Sequence, residues 1–213
     1  GVCSVRPIEM ARAYAIFANG GKEVTPMAIR TVEDKNGDVI MNPELEIRKE
    51  QLAKGEKIQV ISPQNAYVMS KLLEQTVNNG GTLGGQKWKF EYKANNGKTY
   101  RIAAGGKTGT TQNWADAWTC GFTPYYTAAC WYGYPVGKQV KFSGNNPSGQ
   151  IWDNVMTAIH KELENKTFVE PEGIIRKTVC RVSGKLATSA CGSNVYSEVF
   201  TEDLVPISAC EGH

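Results

Sequence analysis

Apolar residues recur at helical spacing in three segments and form short alternating or clustered runs between them, which predicts helices packed against antiparallel strands. Pro7 suits a first helical position, Met10, Tyr14 and Phe17 follow on one face, and Gly20 is placed to end the turn. Residues 7–19 therefore read as an amphipathic helix. Two short apolar runs flank Asn36-Gly37, a pair suited to the positive φ of a tight turn, and predict a hairpin over 28–41. The charged stretch after it reads as a connector. Ser62 then caps a second helix with Pro63 at its first position, and Ala66, Met69, Leu73 and Val77 line one face before Gly80 and Gly81.

In "WKFEYKANNGKTYRI" the aromatics Trp88, Phe90 and Tyr92 alternate with charged residues and the chain turns at Asn96-Gly97, predicting a second hairpin. Lysines interleaved with aromatics also suit base stacking, but a two-faced strand explains them more simply. "KTGTTQ", "ADAWTCGF" and "YYTAACWYGY" predict three neighbouring antiparallel strands, with a turn at Thr123-Pro124. Such a hairpin sets Cys120 and Cys130 almost opposite, as a cross-strand disulfide or as two small core residues. Ile151, Val155, Ile159 and Leu163 mark a final helix. Beyond Glu170-Pro171 the periodicity fades, and the tail reads as irregular or built from hairpins.

Composition narrows the function classes. The 213 residues, 41% hydrophobic, suffice for one domain and a small appendage. A net charge of +3 from 24 basic and 21 acidic residues, with no long run of one sign, points to neither nucleic acid nor an anionic membrane surface. Cysteines stand at 3, 120, 130, 180, 191 and 210, without a Cys-x-x-Cys pair, and the histidines are His160 and His213. Zinc-site spacing is absent from this pattern, while an even count suits either disulfides in an exported protein or small buried thiols. No apolar run approaches the ~20 residues of a membrane span, and the first residues lack a signal-peptide pattern.

The chemistry concentrates in "AAGGKTGTTQ", residues 103–112. Gly106-Lys107-Thr108 resembles the end of a phosphate-binding loop, but that motif needs a glycine where Arg101 stands and a helix directly afterwards. Gly109 and the threonines around it start helices poorly. As the edge of an acyl-transfer site the same residues each have a task. Lys107 supplies a fixed charge for a substrate carboxylate, and Thr108 and Thr110 add hydroxyl donors. Gly109 lets a peptide lie against the strand, and the Thr110 amide can help hold an oxyanion.

With "RPIEMARAYAIFANGG", "ISPQNAYVMSKLLEQTV" and "GGKTGTTQNWADAWTCGFTPYYTAACWYGY", most of residues 5–165 resembles the transpeptidase domain of class A, bifunctional penicillin-binding proteins. The tail, with "SGKLATSAC" and Cys-x-x-His at 210–213, is similar to the region that follows in that family. The resemblance implies an α+β fold, an antiparallel sheet flanked by helices, incomplete in this chain: residues 1–166 the C-terminal portion of the transpeptidase domain, 167–213 a cysteine-containing tail. It implies a serine acyl transferase that cross-links peptidoglycan stem peptides, is blocked by β-lactams and needs no cofactor or metal. Lys107, Thr108, Gly109 and Thr110 match the family's third motif, with Lys107 and Thr110 as the catalytic pair. Asp116 and Trp118 match a family pattern, Trp118 being read as core packing.

The family's first two motifs do not match. No serine is followed three residues later by lysine, and Ser143-Gly144-Asn145 comes after Lys107 in a Gly/Asn/Pro loop that reads as a turn. The nucleophile is therefore expected on an N-terminal segment of the same protein carrying S-x-x-K and S-x-N, with the chain starting just downstream of both. The implied location is the extracytoplasmic face of the bacterial membrane, with the anchor outside this chain. A penicillin sensor, a D,D-carboxypeptidase and, distantly, a nucleotide-binding protein are the alternatives.

Overall fold

A computed structural model describes residues 3–78, 81–83, 91–93 and 97–212. Its centre is a three-stranded antiparallel sheet, β5 (Gly105–Thr110), β6 (Asp116–Phe122) and β7 (Thr127–Gly133), in that spatial order. Helices α1 (Pro7–Ala18) and α3 (Pro63–Val77) cover one face and α4 (Pro147–His160) the other. Strand alternation explains the division. Phe122 meets the rings of Tyr14 and Phe17 on α1, centroids 6.5 and 6.4 Å away, while its neighbour Gly121 faces Trp152 on α4. A Cβ at Gly121 would overlap that indole. Val77, Leu83, Ile102, Ala104, Trp152 and Met156 form the core on the α4 side.

The expected elements form, some in altered dress. The first hairpin is short, β1 (Val32–Glu33) with β2 (Val39–Met41), and Asp34 accepts the Asn36 and Asp38 amides across its turn. β3 (Glu91–Lys93) pairs with β4 (Thr99–Arg101) as the second hairpin; Trp88, Phe90, Asn96 and Gly80 lie outside the described residues. The charged connector contains a helix, α2 (Pro43–Lys54). Asn42 caps it by accepting the Leu45 amide at 2.9 Å, and its Glu44 and Glu46 pair with neighbouring cations. Arg30 and Arg48 both grip Glu44 and pull its carboxyl down to about 2, and Lys54 pairs with Glu23. An aliphatic period does not reveal a helix held by its rim of charge; the Asn-Pro-Glu start was the available signal.

Helix α3 turns most of its expected face inward, with Leu73 half-buried, whereas α4 turns a different face inward than its aliphatic residues predict. On α3 the buried residues are Ala66, Tyr67, Ser70 and Val77, and Met69 is exposed. Ser70 donates to the Ala66 carbonyl at 2.9 Å, and the Tyr67 hydroxyl donates to Glu170 at 2.8 Å. On α4, Ile151, Val155 and Ile159 are exposed, at 42%, 47% and 45%, while Ser148, Trp152, Met156 and His160 are buried one position around. The inward stripe mixes polar with apolar residues, each polar member satisfied by the sheet. Ser148 and Thr119 share a hydroxyl hydrogen bond of 2.9 Å. His160 Nδ1–H donates to the Met156 carbonyl at 2.7 Å, so Nε2 accepts from the Thr123 hydroxyl at 2.8 Å.

That buried imidazole carries a pH dependence. Burial holds its pKa below the ordinary 6.5 and outweighs the opposing bond to Met156. The folded state keeps it neutral while the unfolded chain takes up a proton below about 6.5, so stability falls as pH drops through that value and levels off below the folded pKa. Denaturant midpoints measured from pH 7.5 to 5 are expected to show this decline, and His160→Gln to flatten it.

The Cys120–Cys130 bridge does not form. Cys120 pairs with Ala129 and Cys130 with Thr119, one position out of register. Adjacent positions face opposite ways, so the two sulfurs lie on opposite sides of the sheet. No disulfide joins any of the six cysteines.

The tail is a hairpin, β8 (Ile174–Cys180) with β9 (Val195–Thr201), tethered to α3 where Gln64 donates to the Glu172 carbonyl at 2.7 Å. Among the described residues no helix is long and apolar enough to cross a membrane.

Candidate functional site

Lys107, Thr108, Gly109 and Thr110 are the last four residues of β5. The strand pairs with β6 on one side and, among the described residues, with no strand on the other. An antiparallel partner engages alternate residues. The Thr111 amide donates to the Asp116 carbonyl at 3.1 Å, which assigns Gly109 and Lys107 to hydrogen-bonded pairs with Trp118 and Cys120. Gly106, Thr108 and Thr110 consequently direct their backbone groups to the open edge. Two contacts there agree: the Thr76 hydroxyl donates to the Gly106 carbonyl, and Lys107 Nζ donates to the Thr108 carbonyl at 2.8 Å. The Thr110 amide thus points outward beside an exposed lysine.

This placement disposes of the phosphate-loop reading. Gly106-Lys107-Thr108 lies in mid-strand and a tight turn follows, whereas a phosphate loop wraps into a helix start. That turn holds Asn113 and Trp114 at φ 58° and 56°, conformations uncommon for residues with a Cβ.

The edge borders an open groove of about 720 Å³. Lys107 and Gly109 lie on the sheet face toward α1, Thr108 and Thr110 on the opposite face, and all four reach the groove because the strand is an edge. Trp118, expected in the core, is half-buried in the groove wall. Asp116 braces the end of the site, its carboxylate accepting the Thr111 hydroxyl at 2.9 Å and the Trp131 indole N–H at 2.8 Å. Sequence reading passed over Arg6 and Trp131 in this wall. Arg6 lies in the wall with its guanidinium paired to Glu9 at 2.7 Å, which leaves Lys107 as the exposed cation of the strand edge. Ser143-Gly144-Asn145 forms a turn with Gly144 at φ 84°, as expected.

Gly109 separates packing from function. A Cβ there would meet only the Trp118 Cβ, at an ordinary 3.5 Å, whereas one at Gly106 would press on the Cys120 carbonyl at 2.9 Å. Internal packing therefore requires glycine at 106 and not at 109. Gly109→Ala is expected to leave stability unchanged or to raise it by about 0.4–1 kcal/mol through the unfolded chain, as urea denaturation would measure.

Comparison with known proteins agrees along the whole chain. The model for the penicillin binding protein transpeptidase domain matches residues 1–157, and that for the penicillin-binding protein 1A C-terminal domain matches 170–213. Penicillin-binding protein 1A of Clostridium tetani is 32% identical over 100% of this chain, and that of Aquifex aeolicus 33% identical over 82%. The chain spans 25% and 22% of those relatives, about a quarter of their length. Among solved structures, penicillin-binding protein 1A from Haemophilus influenzae superposes with a TM-score of 0.76 over 99% of this chain and 34% of its own, at 23% identity. PonA1 from Mycobacterium tuberculosis in complex with penicillin V gives 0.55 over 78% of this chain and 41% of its own, at 27% identity. A match running through the open β5 edge and on into the β8–β9 tail leaves one conclusion: the chain belongs to the penicillin-binding protein transpeptidase family.

Proposed function

We propose that the chain is the C-terminal portion of a serine-type peptidoglycan D,D-transpeptidase, residues 1–166 belonging to the catalytic domain and 167–213 forming its tail. The observation that carries this reading is the open edge of β5, where the Thr110 amide and the Lys107 charge flank a glycine that packing does not need. A stem peptide ending in D-Ala-D-Ala lies along that edge. Lys107 with the Thr108 and Thr110 hydroxyls holds its terminal carboxylate, Gly109 leaves room for its backbone, and the Thr110 N–H donates to the oxyanion as a serine attacks. The terminal D-Ala departs, and an amine of a neighbouring stem attacks the acyl-enzyme to form the cross-link. A β-lactam enters by the same contacts and stays on the serine.

The serine belongs to an N-terminal segment of the same protein carrying S-x-x-K and S-x-N, bound non-covalently or continuous with this chain. The open edges of the sheet and the exposed aliphatic stripe of α4 support that association, because apolar positions 151, 155 and 159 otherwise face water. The assembly acts on the extracytoplasmic face of the bacterial membrane, anchored by a segment outside residues 1–213.

Intact-mass spectrometry of the assembled protein before and after a labelled penicillin tests this. An adduct on the companion segment, slowed by Gly109→Val, is expected. A protein that stays unlabelled in the presence of that segment overturns the reading.

A further inference from the structure

Three cysteines far apart in sequence converge in the tail. The sulfurs of Cys180, at the end of β8, Cys191, in a short helical turn, and Cys210, beside the last bridge of the chain, lie within 4.8 Å of one another, all buried. We propose that Cys180, Cys191 and Cys210 bind a zinc ion as thiolates and that this metal holds the tail together.

The argument begins with size. The unit from residue 170 onward is near the limit below which apolar burial alone seldom holds a domain, and metals or disulfides then take over. Its interior has the composition this limit predicts: the cluster at its centre is the three cysteines, with Ala187 and Val195 packed around them. Three mutually adjacent thiols cannot all pair as disulfides, and no disulfide is present. Tetrahedral zinc with Zn–S bonds of about 2.3 Å sets its sulfurs about 3.8 Å apart, within the observed limit.

The backbone gathers around the three sulfurs, and the Thr188 amide donates to that of Cys191 at 3.5 Å. Gly184, at φ 70°, turns the chain so that its own amide reaches back to the Cys180 carbonyl at 2.9 Å. The Cys210 amide donates to the Leu186 carbonyl at 2.8 Å, and the Thr188 hydroxyl to the Cys210 carbonyl at 2.8 Å, tying the three segments into one knot. Backbone bonds that fix the three segments hold the sulfurs where one ion can reach all of them. Zinc fits better than harder cations because the donors are soft and nearly dry. A structural zinc site takes four donors, three of which these sulfurs supply.

The test uses the full-length protein, purified without chelator from cells grown with zinc. Elemental analysis and native mass spectrometry are expected to find one zinc per chain, X-ray absorption a sulfur shell near ~2.3 Å. The metal should survive in Cys3→Ser and Cys130→Ser and disappear in Cys191→Ser/Cys210→Ser. Chelation should speed hydrogen exchange in β8 and β9 while β5–β7 stay protected. Metal-free protein that does not retain added zinc after dialysis overturns the proposal, as does a mass 2 Da low with a disulfide between any two of the three.

Discussion

Lys107→Met is expected to lower the rate at which a β-lactam acylates the proposed assembly, on the order of 100-fold, while the chain remains folded. The substitution keeps an unbranched apolar stem and deletes only the charge. That charge is exposed at the groove and, among the described residues, engages the carbonyl of its own neighbour, Thr108, so it is available to an incoming carboxylate. A charge-assisted contact contributes more than a neutral one, and losing a comparable preorganised donor costs about 2.7–4 kcal/mol of barrier. Stability should shift by less than about 0.5 kcal/mol, because the side chain supports no packing. Lys107→Arg keeps the charge and should recover part of the rate, whereas a role in folding would move the denaturation midpoint in both variants. Stopped-flow acylation with a chromogenic cephalosporin reads the effect. An unchanged rate for Lys107→Met would remove the carboxylate role from this residue.

The strand that carries Lys107 is legible in the sequence, and the reason is local. Alternation, β-branched residues and a Thr-Pro turn identify β5, β6 and β7 without tertiary knowledge. The acyl-transfer reading of Lys107-Thr108-Gly109 also depended on backbone chemistry that an extended strand supplies directly. What remained hidden came from pairing between distant parts of the chain. The inward stripe of α4 contains Ser148 and His160, which become core residues only because Thr119 and Thr123 lie opposite with hydroxyls. Counting aliphatics instead selects Ile151, Val155 and Ile159, the face turned outward. Helix α2 escaped notice because its partners, Arg30 and Glu23, precede it on other segments. The cysteines show the same limit most sharply. Spacings of eleven and nineteen residues match no short zinc motif, yet the hairpin and the bridge between Leu186 and Ala209 fold them onto one point.

Trp152→Ala is expected to destabilise the chain by about 3–5 kcal/mol, the cost typical of emptying a large buried aromatic site. Trp152 is only 1% exposed and packs in the cluster with Val77, Leu83, Ile102 and Met156, so it joins α3, the approach to β5, and α4. Against a total of roughly 5–15 kcal/mol for a domain, that loss is large enough to populate the unfolded state at body temperature. The indole also explains a glycine: a Cβ at Gly121 would occupy its space, so Gly121→Ala should destabilise the wild type. Once Trp152 is reduced to leucine, the same Gly121→Ala change should cost clearly less, giving a coupling of about 0.5–3 kcal/mol in a double-mutant cycle. Urea denaturation of the four proteins measures it, and additive effects would show that the two residues do not compete for one volume. The consequence reaches the site through β6. Gly121 pairs with Gly106 and, four residues further, Ala117 pairs with Thr110, so the packing that seats β6 also fixes the edge from which the Thr110 amide points. A Trp152 variant rescued by low temperature should therefore bind β-lactam more slowly even while folded, a deficit that a surface substitution remote from the sheet, such as Leu52→Gln on α2, should not produce.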